Sequence, residues 1–252
     1  MSSLRPDILV NPSDLLAQIA PTSGTVPYST QVLPLGVRST TGDGREFRLV
    51  SAGVSNLIVG QLQQAAAPQA NYVDVTAIAA AVGATQVTLT VSTGTAVVAN
   101  QFSGGYYMTY GTVANGGGQI LQISSNTAVT ASGTSITINL SDPVVTAITT
   151  SATVNIIPPA YAAVIQVPST VTGKVAGVAV GALVATYYGW LQVKGIANAL
   201  IAGTPAIGTG LSAPNSGTAG ALQVTAATLM DIATNLKTGV DGRYGPVDLL
   251  IS

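Results

Sequence analysis

The sequence of 252 residues predicts an all-β protein: two small barrel-like or sandwich-like β domains, one inserted into the other, with an extended N-terminal arm. Three observations lead to this prediction. Short segments alternate apolar and polar residues, glycine-rich turns separate them, and Thr and Ser occupy positions where most soluble proteins carry charges. Only 7% of the residues are charged, against roughly 25% in an ordinary soluble domain. Thr is β-branched and suits a pleated surface, so this composition favours strands.

The clearest strands are QVTLTVS at 86–92 and SITINLS at 135–141. A period of two buries one set of side chains and leaves Thr, Ser or Asn on the outer face. Further short strands are predicted at 45–50, 105–110, 119–124, 153–157, 164–167, 189–194 and 221–225. Turn signals lie at 41–44, 103–105, 115–118, 132–133 and 241–242. Their Asp-Gly, Asn-Gly and Gly-Gly pairs supply the positive φ values that tight hairpins need.

Two segments are ambiguous by pattern alone. Residues 75–83 fit either a short alanine-rich helix or the entry strand of the middle domain. Residues 226–237 have Leu229, Ile232 and Leu236 near helical spacing. Recurring Thr residues and the Asp-Gly turn that follows favour a strand there.

The uneven distribution of charge divides the chain. Between Leu49 and Gly173 only Asp74 and Asp142 are charged. We therefore predict an arm over residues 1–30, an outer β domain over 31–74 plus 159–252, and an inserted Thr-rich β domain over 75–158. Within the arm, the sequence NPSD at 11–14 predicts the start of a short helix that continues to Ile19 and ends at Pro21.

Composition argues against several classes of partner. The net charge of −1 offers no basic footprint for nucleic acid. The 19 uncharged residues at 175–193 are long enough to span a bilayer, but their glycines, β-branched valines and alternating end at 189–194 predict strand instead. Residues 1–7 do not have the pattern of a secretory signal. We expect no nucleic-acid partner, no membrane partner and synthesis in the cytoplasm.

The side chains that carry most enzyme chemistry are missing. The chain has no His and no Cys, so a serine nucleophile lacks its usual base. Asp43 and Glu46 are close in sequence, but they flank a turn, which is more typical of a solvated hairpin tip than of a glycosidase pair. The glycine runs lack the Lys of a phosphate loop, and the 241–243 turn offers one carboxylate for calcium. We predict no enzyme activity, no cofactor and no metal site.

One charged cluster stands out around the turn at 42–44. Arg38, Asp43, Arg45, Glu46 and Arg48 place five of the 17 charges within eleven residues. One interpretation is an ordinary solvated hairpin, whose ion pairs contribute about 0–1 kcal/mol each. The other is a surface that docks on an acidic or mixed partner and sets binding register and specificity. Arg5, in the arm, is a further candidate for partner docking.

A large, β-rich chain with so few charges gains little solubility from them. Its apolar surface is best explained if neighbouring subunits cover it. Stable interfaces bury about 800 Å² per partner, and symmetric copies multiply weak contacts. The composition therefore favours a structural subunit of a larger assembly.

Several segments are similar in sequence to the capsid decoration (cement) proteins of tailed bacteriophages. They are DGREFR at 43–48, PSTVTGKVAG at 168–177 and YGWLQVKG at 188–195, and more weakly GTP at 203–205 with Gly208, and YGPVDLLI at 244–251. These motifs are short and glycine-rich, and they cover mainly the predicted outer domain.

The resemblance implies a β-rich virion protein, often a homotrimer, that binds the major capsid protein on the outside of the expanded capsid and reinforces it against internal DNA pressure. The arm would then reach a neighbouring subunit or the shell. A head-fibre, tail or baseplate component is the main alternative, since such proteins share the Thr-rich and Gly-rich β character. A cell-surface adhesion module is disfavoured because no secretory signal pattern is present.

Overall fold

The computed structural model describes residues 29–31, 33–94, 96–226 and 229–251. It is all-β, with 42% strand and 3% helix, which confirms the predicted fold class. Its two sheets form one nearly closed barrel and one half-barrel. The arm predicted over residues 1–30, with its helix at 11–19, lies almost entirely outside the described residues.

Sixteen strands lie in the described residues. In chain order they are β1 (Arg38–Thr40), β2 (Glu46–Ser51), β3 (Leu62–Gln64), β4 (Val75–Thr76), β5 (Gln86–Thr90), β6 (Tyr106–Tyr110), β7 (Ile120–Asn126), β8 (Ser135–Leu140), β9 (Thr153–Ile157), β10 (Ile165–Gln166), β11 (Val175–Ala179), β12 (Tyr188–Ile201), β13 (Gly210–Ser212), β14 (Gln223–Val224), β15 (Ala233–Asn235) and β16 (Arg243–Leu250). Short 3₁₀ turns lie at Ala70–Tyr72 and Val113–Asn115.

The chain divides into two compact units. The inserted unit is Ala67–Pro159, and the outer unit combines the described parts of Met1–Ala66 and Ala160–Ser252. The sequence had placed the boundaries of the insertion at 75 and 158. Its earlier start follows from Tyr72, which is buried in the same apolar cluster as Phe102, with 5.1 Å between the ring centroids.

The outer unit is a ten-stranded sheet in the order β10-β3-β11-β12-β16-β15-β13-β14, with β2 also pairing with β12 and β1 pairing with β2. Strand β12 is its longest element. The first half of β12 pairs with β2, and the second half pairs with β16 from Lys194 to Ile201. One strand therefore supports both the region around β1 and β2 and the C-terminal strands.

The inserted unit is a six-stranded antiparallel sheet in the order β4-β9-β6-β7-β8-β5. Its edges approach each other where Ala77, just after β4, forms a bridge with Leu89 of β5. In β5 and β8 the predicted alternation holds: Val87, Leu89, Ile136 and Ile138 are buried. The Thr, Ser and Asn side chains between them lie outside the core. Their polar groups bind water, so the outer face of this unit is hydrated although it carries few charges.

The two ambiguous segments both lack a helix in their described residues. Residues 75–83 begin with β4 and continue with bridges at Ala77 and Ala80, so the entry strand was the right alternative. Residues 226–237 contain β15, as the Thr pattern favoured. The 175–193 window lies in β11 and β12 and the turn between them. Among the described residues, no helix has the length and hydropathy needed to cross a bilayer.

Buried Asn and Gln side chains form hydrogen bonds inside both units. Asn126 accepts a hydrogen bond from the Phe102 amide at 2.8 Å and donates to the carbonyls of Val98 and Thr127 at 3.0 and 2.9 Å. Gln64 donates to the Thr172 hydroxyl at 2.8 Å and accepts from the Thr172 amide at 3.1 Å. Amides both donate and accept, so they pair buried backbone groups without the desolvation cost of an ion.

Candidate partner-docking surface

The charged cluster is built on the β1–β2 hairpin. Register pairs Arg38 with Arg48 and Thr40 with Glu46, so these four side chains share one face. The opposite face carries Ser39 and Phe47, which are buried. The alternation of strand residues therefore sorts the cluster to the outside and anchors the hairpin through its inner face.

A basic residue distant in sequence joins this cluster. Lys194 of β12 lies opposite Glu46 in the β2–β12 pairing, and its Nζ is 3.5 Å from a Glu46 carboxylate oxygen. The other Glu46 oxygen lies 3.7 Å from an Arg38 Nη. Glu46 is therefore bracketed by two cations. The sequence did not indicate Lys194, because only the sheet register brings it to the hairpin.

The turn itself holds a second ion pair. The Nε of Arg45 lies 2.7 Å from an Asp43 carboxylate oxygen. The hydrogen bond that the Thr41 hydroxyl donates to Asp43, together with those from Arg45, lowers the pKa of the Asp43 carboxyl. Asp43 therefore stays ionised to a lower pH than an ordinary aspartate, and its hydrogen bonds with Thr41 and Arg45 hold the turn together.

Arg48 faces the body of the outer unit. Its Nη1 donates a hydrogen bond to the Gly36 carbonyl at 3.0 Å, and its guanidinium carbon is 5.8 Å from the centre of the Tyr161 ring. These contacts give Arg48 a structural use. The other three basic side chains of this group, Arg38, Arg45 and Lys194, are 39%, 35% and 54% exposed and take part in its ion pairs.

The structure thus brings together Arg38, Asp43, Arg45, Glu46 and Arg48 and adds Lys194; Arg5 lies outside the described residues. We call these six described residues the charged hairpin cluster. Four basic and two acidic side chains give it a formal charge of +2 on a chain whose net charge is −1. Exposed ion pairs add little stability. The formal charge of +2 on the cluster is suited to orienting an acidic partner.

Apolar packing holds the cluster in place from below. Phe47, Leu49 and Trp190 form a buried group, with Leu33, Leu35, Val37 and Val180 packed around it. The chain leading from residue 33 into β1 thus contributes to the support of the hairpin. This packing makes the position of the charges dependent on one small core.

A bulge in β12 lets the hairpin turn approach closely. The β2–β12 register shifts between Gln192 and Lys194, and Gly195 has a φ of +82°. The buried Gln192 amide donates to the carbonyls of Lys194, Gly195 and Ile196 at 3.0, 3.2 and 2.9 Å. A side chain at Gly195 would meet Arg45, whose Cγ lies 3.0 Å from the ideal Cβ position. The bulge, together with the absence of a side chain at Gly195, leaves space for Arg45.

Replacing Gly195 by alanine tests whether the packing of Arg45 depends on the glycine. We expect the free energy of unfolding to fall by about 1–2 kcal/mol, because an L-residue in the left-handed region is strained and the new methyl group presses on Arg45. Urea unfolding followed by circular dichroism measures the change. Gly42→Ala is the control, since nothing lies within 4 Å of its ideal Cβ and its φ is not positive. Equal losses in both variants would contradict a special role for Gly195.

A cleft lies beside the cluster. Its volume is about 320 Å³, and its lining includes Arg45, Val59, Val178, Ala197 and Tyr244. The Tyr244 ring packs directly on Gly60, where an ideal Cβ would lie 2.6 Å from a ring carbon. The cleft therefore combines apolar and polar side chains with the basic side chain of Arg45 within the outer unit, and no sequence pattern indicated it.

Within the described residues, no group of three or more His, Cys, Asp or Glu side chains is placed to hold a metal ion. Compared with protein-family models, curated proteins and solved structures, the chain shows no match. The case for function therefore rests on the residues and geometry of the chain itself.

Proposed function

We propose that this protein is a virion structural protein that binds the outer surface of a phage capsid, decorating and stabilising it. The observation that carries the proposal is the charged hairpin cluster, with its formal charge of +2 on a charge-poor β unit. A basic patch over a fixed hairpin is suited to an acidic or mixed surface on the major capsid protein. Residues 43–48 and 188–195, which resemble the capsid decoration proteins, contain five of the six residues of this cluster.

The inserted unit supports the proposal in a different way. Over residues 67–159 it carries only Asp74 and Asp142 as charges, and apolar side chains such as Tyr110 and Ile120 are exposed on its sheet. Such a surface gains if neighbouring copies or the shell cover part of it. In this proposal the hairpin provides orientation and repeated copies provide avidity, with self-association as a homotrimer.

Copy number tests the proposal directly. We expect quantitative proteomics of the purified phage that encodes this chain to find the protein at a copy number near that of the major capsid subunit. Images of particles with and without the protein should differ by density on the outside of the capsid. Absence from the particle would overturn the proposal. A few copies per particle, located at the tail, would instead support the fibre or baseplate alternative.

A further inference from the structure

The cleft next to the charged hairpin cluster has the makeup of a peptide-anchoring site. Val59, Val178 and Ala197 give it apolar lining, Gln192 and Asn198 add polar groups, and the basic side chain of Arg45, which also pairs with Asp43, lines it too. Val178 is buried, whereas Val59 and Tyr244 are partly exposed and accessible to a ligand. At about 320 Å³ the cleft is near the lower end of the range of ligand pockets, roughly 300–1,000 Å³. This combination suits an apolar side chain followed or preceded by a carboxylate.

The chain itself contains a segment with this chemistry. Residues 7–10 read Asp-Ile-Leu-Val, a carboxylate followed by three apolar residues. Proline precedes the segment at position 6 and follows it at position 12. These prolines restrict Arg5 and Asn11, which lie outside the segment, whereas the β-branched residues Ile8 and Val10 favour extended backbone within it. The segment therefore offers one carboxylate beside aliphatic side chains.

The reach of the segment is sufficient. Residues 11–28 separate it from Ser29, where the described chain begins. The helix predicted over residues 11–19 spans about 14 Å and the nine extended residues 20–28 about 30 Å, which together slightly exceed the diameter of about 40 Å expected for a compact unit of this size. Residues 7–10 can therefore reach the cleft from Ser29 on the same copy or from an adjacent one.

We propose that residues 7–10 of this chain dock in the cleft, with Asp7 against Arg45 and an aliphatic side chain between Val59 and Tyr244. Docking would cover exposed apolar surface next to the hairpin and tie the arm to the body of the protein or link two copies. The inference goes beyond capsid binding and is tested on purified protein without particles. A failure here therefore leaves the proposed function standing, and the reverse also holds.

The absence of cysteine from the chain makes a cross-linking test clean. We expect the full-length Ile8→Cys/Val59→Cys variant to form a disulfide under mild oxidation, seen on non-reducing gels as a compact monomer or a covalent dimer and assigned by peptide mass spectrometry. Ile8→Cys/Val224→Cys is the matched control, because Val59 and Val224 are both 49% exposed. Cross-linking at similar rates in the two variants would overturn the proposal.

Charge exchange tests the Asp7–Arg45 contact in the same background. We expect Asp7→Lys to slow cross-linking by about tenfold or more, because it brings two like charges together, and Asp7→Lys/Arg45→Asp to restore it. Asp14→Lys, which changes the same charge outside the segment, should leave the rate unchanged. Equal effects of Asp7→Lys and Asp14→Lys would show that net charge acts instead of docking, and would overturn the proposal. Circular dichroism of each variant checks that it is folded.

Discussion

The Tyr107→Ala variant should lose about 4 kcal/mol of the free energy of unfolding, the cost of removing a fully buried aromatic side chain from a core. Tyr107 lies on β6 between Leu121 of β7 and Ile156 of β9, and all three are buried in the core of the inserted unit. Hydrogen exchange measured by mass spectrometry should show faster exchange in peptides from residues 67–159. Urea unfolding gives the size of the loss.

The control for this variant lies on the same strand. Tyr110 is 72% exposed, so Tyr110→Ala should change stability by no more than about 0.5 kcal/mol. If both alanine variants lost the same stability, the inward orientation of Tyr107 would be wrong.

Removing only the hydroxyl of Tyr107 should have the opposite effect on the free energy of unfolding. This oxygen is buried without a hydrogen-bond partner among the described residues, and burial raises the pKa of Tyr107 to about 12. Tyr107→Phe should therefore leave stability unchanged at neutral pH or raise it by about 1 kcal/mol. A loss of more than 1 kcal/mol would mean that the hydroxyl has a partner.

The pH dependence follows from the raised pKa. An unfolded tyrosine has a pKa near 10, so between pH 10 and 12 the unfolded chain binds fewer protons than the folded one at this site. Stability should fall there by about 1.4 kcal/mol per pH unit, and Tyr107→Phe should remove that contribution. The burial of Tyr72 also raises its pKa, so part of the slope should remain.

Strands that alternate cleanly could be predicted from the sequence. The period-2 runs of β5 and β8 signal one buried and one wetted face, and both faces exist in the inserted unit. Strand β9 lies at the predicted residues, 153–157, for the same reason. In these strands local pattern and tertiary environment agree, so the local signal is enough.

Other strands were missed because their side chains break the pattern. Strand β3 reads Leu-Gln-Gln, and both glutamines are buried: the Gln63 amide donates to the Gln61 carbonyl at 3.1 Å, and the Gln64 amide donates to the Thr172 hydroxyl at 2.8 Å. Strand β16 contains Pro246, which argues against an interior strand, although Val247 and Leu249 do alternate. In the structure Pro246 lies opposite Asn198, and its carbonyl accepts a hydrogen bond from the Leu236 amide.

The candidate site could be predicted only in part from the sequence. The density of charge over residues 38–48 indicated a hairpin cluster, and the Asp-Gly turn explained its tip. Lys194 and the cleft could not be predicted from the sequence, because both depend on how β12 pairs with β2 and β16 and on where β12 bulges. Register over such separations is set by the whole sheet, which no local pattern encodes.

Trp190 offers the strongest test of how the outer unit supports this site. It is buried with Phe47 and Leu49 beneath the β1–β2 hairpin. Trp190→Ala should therefore lose about 4 kcal/mol of the free energy of unfolding, while Trp190→Phe, which keeps an aromatic ring, should lose about half as much. Since Trp190 is the single tryptophan, circular dichroism must replace fluorescence in the comparison.

The location of the effect distinguishes support of the hairpin from a general loss of stability. Ile196 lies on the same strand, β12, but is 65% exposed, so Ile196→Ala should change stability by no more than about 0.5 kcal/mol. Hydrogen exchange in Trp190→Phe should rise first in peptides covering residues 33–51, because their apolar side chains belong to or pack against the buried cluster that contains Trp190. If protection is lost equally across all of the outer unit, the hairpin does not depend on this local core. Selective loss over 33–51 would mean that Trp190 holds the β1–β2 hairpin, and with it the basic side chains, in place.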